Sequence, residues 1–255
     1  MNAAAERVGR IVAPVVVGVL LLVVWQLASG MTTGRISLVP SPTAVAGDLV
    51  AHADIIVEDA LVTGGNALAG LVVGTLVAVV LAGLAAWLRP VDGMTAPLVA
   101  AIAVVPIVAL TPLLNTMFGA SSQLGRQIVA GIAAFVPVFV NVLRGLRQAR
   151  PVQRDLFRAY AAAGGQEFLK LTLPTAVPYL VTGVRIASSV AVISALVAEY
   201  FGGPADGLGT AIASYAKSGN SALAWAYVVA AIVVGLVLFL VTVLLERLVT
   251  RRNPA

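Results

Sequence analysis

The sequence predicts an all-α integral membrane protein with six transmembrane helices. Composition is the first reason, because 60% of the 255 residues are hydrophobic and only 11% are charged, whereas a soluble domain has about 25% charged residues. The second reason is the arrangement of the charges, which lie in short segments between long uncharged runs. Each run is long enough to cross a bilayer, which takes about 20 residues, and together they leave no room for a soluble domain.

Charge and cysteine content exclude several functions. The basic residues lie beside the apolar runs, so we attribute the net charge of +5 to membrane topology and not to nucleic-acid binding. The chain has no cysteine and one histidine, His52, so we expect neither disulfides nor a metal site. The spans contain no paired acids and no nucleophile beside a base, so we expect no catalytic residue.

The first span is expected over residues 11–28, since no charge falls between Arg10 and Arg35. A signal peptide is the alternative, but it would have a shorter apolar core and a small-residue cleavage site. We therefore interpret residues 1–30 as a retained N-terminal transmembrane helix.

A more polar segment follows at residues 31–60 and is expected to be extracytoplasmic. Within it, Ser41 or Thr43 is suited to cap a short helix through Leu49, because a hydroxyl accepts a backbone N–H at a helix start. The second span, residues 61–88, is rich in glycine and alanine. Small residues allow close helix packing in lipid, although glycine is also generally frequent in membrane helices.

The third span is expected at residues 97–118, with kinks at Pro106 and Pro112 because proline removes a backbone donor. The fourth, fifth and sixth spans are expected at residues 124–143, from Pro178 to about Ala198, and at residues 223–249. Residues 61–250 then hold five spans that form one helical core.

Charge asymmetry places both termini of a six-span protein in the cytoplasm, because cytoplasmic loops carry an excess of Lys and Arg. In this orientation the inner segments hold twelve basic residues and the outer segments hold three. The inner ones are Arg7, Arg10, Arg89, Arg144, Arg147, Arg150, Arg154, Arg158, Lys170, Arg247, Arg251 and Arg252. The outer ones are Arg35, Arg126 and Lys217.

The one long polar interruption lies at residues 144–178 and holds six of the sixteen basic residues. Apolar side chains such as Leu156 and Phe168 stand among charged ones, which indicates a pair of surface helices outside the membrane. The Ala-Ala-Ala-Gly-Gly run at residues 161–165 is expected to turn the chain between them, and Pro174 is expected to end the second helix. Such a segment can dock on a partner, lie on anionic lipid or act as a solvated connector.

Part of this segment resembles a known motif. The stretch Asp155-Leu-Phe-Arg-Ala-Tyr-Ala161, followed after nine residues by Leu-Thr-Leu-Pro174, resembles the cytoplasmic EAA loop of bacterial ABC-importer permeases. In that loop, Glu-Ala-Ala is followed after three residues by Gly and, nine residues later, by an aliphatic residue, any residue, Leu and Pro. The spacing is the same here, but Asp155 replaces the Glu and Ala161 replaces the Gly, with Gly164 and Gly165 nearby to supply flexibility.

The resemblance covers most of the chain and narrows to the nitrate/sulfonate/taurine-type permeases. The matching stretches are Val39-Pro-Ser-Pro42, Pro174 to Arg185, Gly207-Leu-Gly-Thr-Ala-Ile212 and Leu245-Glu-Arg247. It implies a type I ABC importer permease fold, in which residues 61–250 form a five-helix transport core with a cytoplasmic coupling loop at about residues 148–174. It also implies a multi-pass protein of the bacterial inner (plasma) membrane.

The family implies three protein partners: a second copy of this permease, a cytoplasmic ABC ATPase dimer and an extracytoplasmic substrate-binding protein. ATP and Mg²⁺ would be held by the ATPase, because this chain has no Gly-x-x-x-x-Gly-Lys-Ser/Thr phosphate loop; we expect no cofactor and no catalysis in this chain. Closure of the ATPase dimer would move the loop and switch the pore between its two states. The resemblance assigns this coupling to Asp155, Arg158, Ala161, Gly164, Gln166 and Pro174.

Four polar residues are candidates for the translocation path or gate: Asn115, Asn141, Arg185 and Glu199. Interhelical hydrogen bonding is the alternative role for the two amides, and snorkelling or pairing near the cytoplasmic boundary is the alternative for Arg185. Glu199 lies at the outer end of the fifth span, where it is a candidate for the outer gate or for contact with the binding protein.

The leading function is that of an ATP-driven importer permease for a small solute, and the alternative is a secondary transporter or channel without an ATPase. The alternative would typically show inverted repeats or charges near the middle of the membrane, and neither is evident. The cargo stays open between an oxyanion, such as a sulfonate or nitrate, and a neutral heterocycle, such as a pyrimidine vitamin precursor. The lack of a positive charge deep in the predicted pore favours the neutral ligand.

Overall fold

A computed structural model describes residues 3–31 and 39–252 of the chain. Every regular element in these two ranges is helical, and the predicted all-α class is confirmed. The α-helices are α1 (Ala3–Met31), α2 (Pro42–Ala51), α3 (Ala53–Trp87), α4 (Arg89–Val104), α5 (Thr111–Phe118), α6 (Leu124–Leu146), α7 (Pro151–Ala159), α8 (Gly164–Glu167), α9 (Leu173–Tyr200), α10 (Leu208–Lys217) and α11 (Ser221–Arg252).

Five helical segments of the described chain are long and apolar enough to cross a membrane, and a bent pair of shorter helices gives a sixth if it counts as one span. The five are Val12–Gly30, Ala53–Trp87, Leu124–Leu146, Gly164–Tyr200 and Ser221–Arg251. Their number and order agree with the predicted spans, although most helices extend beyond the predicted ends. The second begins at Ala53, eight residues before the predicted start, so it continues into the polar segment.

The third span is not one helix, as the sequence analysis expected for residues 97–118. The pair Pro90–Val104 and Ile107–Phe118 is bent by 77° at a short break. Val105 has extended backbone angles there, because a residue that precedes a proline is forced out of the helical region. Pro106 therefore breaks the span instead of kinking it.

The expectation that Pro174 ends a helix is wrong. Helical structure runs without interruption from Gly164 to Tyr200, through a π-helical turn at Phe168–Thr172. In this turn the N–H of Leu173 bonds to the carbonyl of Phe168, five residues earlier. A proline ring clashes with the carbonyl four residues before it in a regular α-helix, and we attribute the tolerance of Pro174 to the wider π turn.

The centre of the protein is formed by α3, α6 and α9, which share one apolar core. Small residues bring the α3 and α6 backbones into contact: a Cβ atom added to Gly74 would lie 2.4 Å from the carbonyl oxygen of Gly131, and one added to Gly70 would lie 2.7 Å from that of Gln127. Close approach of this kind is how helices pack in lipid, where apolar attraction between them is absent.

A second apolar cluster joins α10 and α11 to α2 and α3. The sequence analysis did not predict α10. It did predict α2, and Ser41 caps that helix by accepting a hydrogen bond from the N–H of Ala44 at 3.2 Å. By contrast, none of the apolar stretch Val12–Gly30 of α1 is buried. The contacts of α1 with the rest of the chain include the rings of Trp25 and Trp225, at 5.4 Å between centroids, and a hydrogen bond from Trp25 to the carbonyl of Pro40 at 2.9 Å.

Candidate functional site

The polar loop between α6 and α9 carries a short surface helix, α7. It starts at Pro151, whose fixed φ suits the first helical position, and the side chain of Gln153 accepts the N–H of Arg150 at 3.0 Å. The helix ends where Ala161 adopts a left-handed conformation, with φ of 51°. Ala161 stands where the resembling motif has glycine, the residue that adopts positive φ without steric cost. Gly164 and Gly165 have no positive φ, so the turn depends on Ala161 and not on them.

One face of α7 is apolar and uncovered. Val152, Leu156 and Tyr160 are spaced four residues apart, which places them along one side of the helix. Their exposed fractions are 78%, 55% and 79%. This row, called the α7 stripe below, is an unpartnered apolar surface on an otherwise charged segment.

The remaining residues predicted for coupling lie around this stripe. Asp155 and Arg158 form an exposed ion pair of 3.3 Å on α7. Gly164, Gln166 and Pro174 are exposed on the helical segment that follows. The structure therefore brings the predicted coupling residues onto one surface loop, and pairs two of them directly.

A second concentration of polar groups lies at the other end of the helical core. Glu199, near the end of α9, is only 1% exposed. Its carboxylate accepts hydrogen bonds from the hydroxyl of Thr63 at 2.8 Å, from the side chain of Asn66 at 3.5 Å and from the N–H of Gly209 at 3.0 Å. Glu199 thus joins α3, α9 and α10 inside one chain.

Arg126 on α6 is the centre of further polar contacts at this end, and its role was not predicted from the sequence. Together with Glu199, Thr63, Asn66, Gln123, Asp206 and Thr210 it forms what we call the outer polar cluster. Arg126 was counted only as one of the three basic residues of the outer segments, yet it is fully buried. Its guanidinium donates to Asp206 at 2.7 Å, to the carbonyl of Pro204 at 2.6 Å, to Thr210 at 3.1 Å and to Gln123 at 3.0 Å. An arginine within the first turn of a predicted span was the available signal, because a charge in a membrane helix requires partners.

Side chains of α3 and α9 accept the N–H groups of Gly207, Leu208 and Gly209 at the start of α10. The N–H of Gly207 bonds to Asp59 at 2.7 Å, and the N–H of Leu208 bonds to the hydroxyl of Thr63 at 2.9 Å. Helix N-termini carry unpaired N–H groups and a partial positive charge, so acceptors from neighbouring helices both satisfy and fix this end of α10.

The other candidate path residues lie in three different places. Asn115 is buried beside the outer cluster: a Cβ atom added to Gly203 would lie 3.4 Å from both its Nδ2 and the Nε of Arg126. Asn141 bonds to the carbonyl of Pro137 within its own helix at 2.8 Å. Arg185 forms an ion pair of 3.0 Å with Glu246 on α11.

These contacts form no metal site. Within the described part of the chain, no group of three His, Cys, Asp or Glu side chains is arranged to hold a metal ion. The two polar sites are a surface loop at one end of the bundle and a buried network at the other.

The five or six apolar helical segments of the described chain that are suited to cross a membrane define a multi-pass membrane protein. Comparison with known proteins identifies the kind: the chain belongs to the family described as "Binding-protein-dependent transport system inner membrane component", whose sequence profile matches residues 59–253. It is a permease subunit of an ABC importer located in the inner membrane. This family works with an ATPase and a binding protein.

The chain aligns with curated permeases over most of its own length and most of theirs. The chain is 30% identical over 200 residues to a probable ABC transporter permease protein of Haemophilus influenzae, covering 78% of this chain and 81% of the relative. It is 29% identical over 197 residues to the formylaminopyrimidine transport permease protein ThiX of Halalkalibacterium halodurans, covering 77% and 78%. Further relatives are named for riboflavin, aliphatic sulfonates and bicarbonate.

A solved structure supports the fold. The chain aligns with a chain of the MetNI methionine ABC transporter, in inward-facing conformations, at a TM-score of 0.62 and 19% identity. The alignment covers 77% of this chain and 96% of that chain. The predicted type I importer permease fold is thereby confirmed.

Proposed function

We propose that two copies of this chain form the pore of the importer and that α7 of each copy docks on one subunit of an ATPase dimer. The α7 stripe carries this proposal: an apolar row on a short helix outside the spans buries its surface most favourably against a protein partner. The ion pair of Asp155 with Arg158 borders the stripe and is placed to set the orientation of docking.

The proposed orientation has both termini and α7 in the cytoplasm. The excess of basic residues in the segments on that side supports it. ATP and Mg²⁺ belong to the ATPase, and this chain contributes no cofactor and no catalytic group. The binding protein delivers the solute at the opposite face, where the outer polar cluster lies.

We propose that the outer polar cluster holds the outer gate in place. Glu199 acts through α10, because its carboxylate oxygens are already bonded to α3 and α10. Of the four candidates for the translocation path, Asn115 fits a role in the pore best. Its side-chain oxygen is buried without a hydrogen-bond partner among the described residues. Arg185 and Asn141 are already bonded within the chain.

For the cargo, we propose a neutral nitrogen heterocycle related to pyrimidines or flavins. The names of two relatives, for formylaminopyrimidine and riboflavin, support this class. The pairing of Arg126 and Arg185 with carboxylates adds support, because neither offers an unpaired positive charge to an anion. Uptake of a labelled pyrimidine, and not of a labelled alkyl sulfonate, is the expected result; uptake of the sulfonate alone would reverse the assignment.

The decisive experiment on coupling is co-purification with the ATPase encoded beside this chain. Leu156→Asp places a charge in the middle of the α7 stripe and should abolish ATPase recovery with the permease. Val50→Asp is the control, because Val50 is likewise an exposed aliphatic residue, at 78% against 55% for Leu156, but lies on α2, far from the loop in sequence. Equal ATPase recovery with wild type and Leu156→Asp would show that the stripe is not the docking surface.

A further inference from the structure

A large cavity lies where the end of α3 meets the coupling loop. Its volume is about 810 Å³, which is within the range of small-molecule sites. The α3 wall is apolar and runs from Val79 to Trp87, a length of about 12 Å at 1.5 Å per residue. The opposite wall is built from the start of the helical run after α7, including Gly164, Gly165 and Phe168.

Two charged side chains line the cavity, the guanidinium of Arg154 and the carboxylate of Glu167. The Nε atom of Arg154 is buried and donates no hydrogen bond. The carboxylate of Glu167 lies 3.7 Å from this nitrogen, which is too far for a hydrogen bond. A buried donor without an acceptor is costly, so this position favours a ligand that brings an anionic oxygen.

Positive charge extends from Arg154 over the surrounding surface. A second hollow, of about 460 Å³, shares Arg154 with the first and is also lined by Arg147, Arg158 and Asp155. Arg147 pairs with Asp92 and Arg158 with Asp155. Across residues 144–170 there are six basic residues and two acidic ones. The nearby carboxylate of Glu167 offsets part of this charge and leaves the region positive.

The apolar wall continues onto a surface that faces outward from the bundle. Val80 is 61% exposed and Trp87 is 85% exposed at the end of α3. Tryptophan at the end of a membrane helix is typical of the headgroup level of the bilayer. The cavity therefore joins an apolar wall at membrane depth to a guanidinium at the membrane boundary.

We propose that this cavity binds an anionic phospholipid of the inner leaflet, with an acyl chain along α3 and the phosphate on Arg154. This proposal rests on the proposed function in one respect: the proposed function places the loop on the cytoplasmic side. Arginine binds phosphate through charge-assisted hydrogen bonds, and anionic headgroups are attracted to basic segments at this surface. A bound lipid would fill the gap between α3 and the loop that moves with the ATPase.

Two substitutions test the two halves of the site. Arg154→Gln removes the charge and should weaken binding about tenfold, the factor of one charged hydrogen bond. Gly83→Leu should fill the cavity, because Gly83 lines it and a Cβ atom there meets nothing within 4 Å. The matched controls are Arg247→Gln, an exposed arginine on α11, and Gly65→Leu, an equally unobstructed glycine on α3.

Native mass spectrometry of the permease–ATPase complex, after exchange into phosphatidylglycerol or phosphatidylcholine, counts retained lipid and bound ATPase in one spectrum. We expect wild type and both controls to retain phosphatidylglycerol preferentially, Arg154→Gln to lose the preference, and Gly83→Leu to lose the lipid. Equal retention of the two lipids by wild type, or unchanged retention by both test variants, would overturn the proposal. Lipid binding by a permease that fails to recover ATPase would refute the docking proposal and leave the lipid site standing.

Discussion

Arg126 and Asp206 form an ion pair of 2.7 Å in which the guanidinium is fully buried and the carboxylate side chain is 42% exposed. The two residues come from α6 and from the loop before α10, so the pair fastens that loop to the helical core. Because the arginine is enclosed and its partner is partly hydrated, loss of the carboxylate leaves a buried charge with less compensation.

Asp206→Asn should therefore lower stability by about 1–3 kcal/mol, the cost of a buried charged donor that loses its partner. Thermal unfolding of the purified permease in detergent measures this as a lower Tm. The double variant Arg126→Met/Asp206→Asn should be more stable than Asp206→Asn alone, because the buried charge is removed as well. A double variant that loses the sum of the two single effects would show that the pair is not coupled.

Glu199→Gln should lower both thermal stability and solute uptake. Thr63 and Gly209 both donate to Oε2, which the amide oxygen can replace, so the new NH₂ group takes the place of Oε1 and faces the side-chain NH₂ group of Asn66. Two donors then meet without an acceptor, at a cost of about 1–3 kcal/mol. Glu58→Gln is the control, because Glu58 is exposed at the same end of α3. Normal Tm with reduced uptake would instead indicate direct contact of Glu199 with the solute or the binding protein.

Gly74→Ala should destabilise the protein by at least about 1–3 kcal/mol, the range for overpacking a core. Its new methyl group would lie 2.4 Å from the backbone oxygen of Gly131, and backbone atoms cannot move aside as a flexible side chain can. Gly65→Ala on the same helix meets nothing within 4 Å and should stabilise by about 0.5–1 kcal/mol through helix propensity. Equal Tm values for the two variants would contradict this account of the α3–α6 contact.

Ala161→Gly should relieve strain in the coupling loop, because alanine with φ of 51° carries a cost of about 1–2 kcal/mol that glycine avoids. Ala161→Val should have the opposite effect, since a β-branched residue is a steric outlier at positive φ. Hydrogen exchange of the backbone amides across residues 151–165 measures both effects locally. Faster exchange in the glycine variant than in the valine variant would exclude a strained turn at this position.

The sequence predicts the main helices well, because the boundaries of uncharged runs coincide with physical boundaries of the membrane. Leu124 is an example, where the predicted and observed starts of α6 agree. The motif spacing likewise locates the turn in the polar loop, since the turn after α7 falls at Ala161. In both cases the information is local.

The buried network around Arg126 could not be predicted, because its contacts join residues that are far apart in the sequence. Nothing near Arg126 in the sequence indicates that Asp206, 80 residues later, faces it. The start of α10 similarly depends on acceptors from α3 and α9, which no local pattern reveals. At Pro174 the local rule itself was incomplete, because a π turn accommodates a proline that an α-helix of regular pitch would reject.

The π turn at Phe168–Thr172 has a mechanical consequence. It makes Gly164–Tyr200 a single rod of 37 residues, about 55 Å long at 1.5 Å per residue. One end of the rod begins three residues after the turn at Ala161, and the other end carries Glu199. If an ATPase docks on the loop as proposed, a tilt imposed there would reappear at the far end of this helix as a displacement of the hydrogen bonds that anchor α10. Pro174 therefore does not interrupt the helix that would transmit this movement.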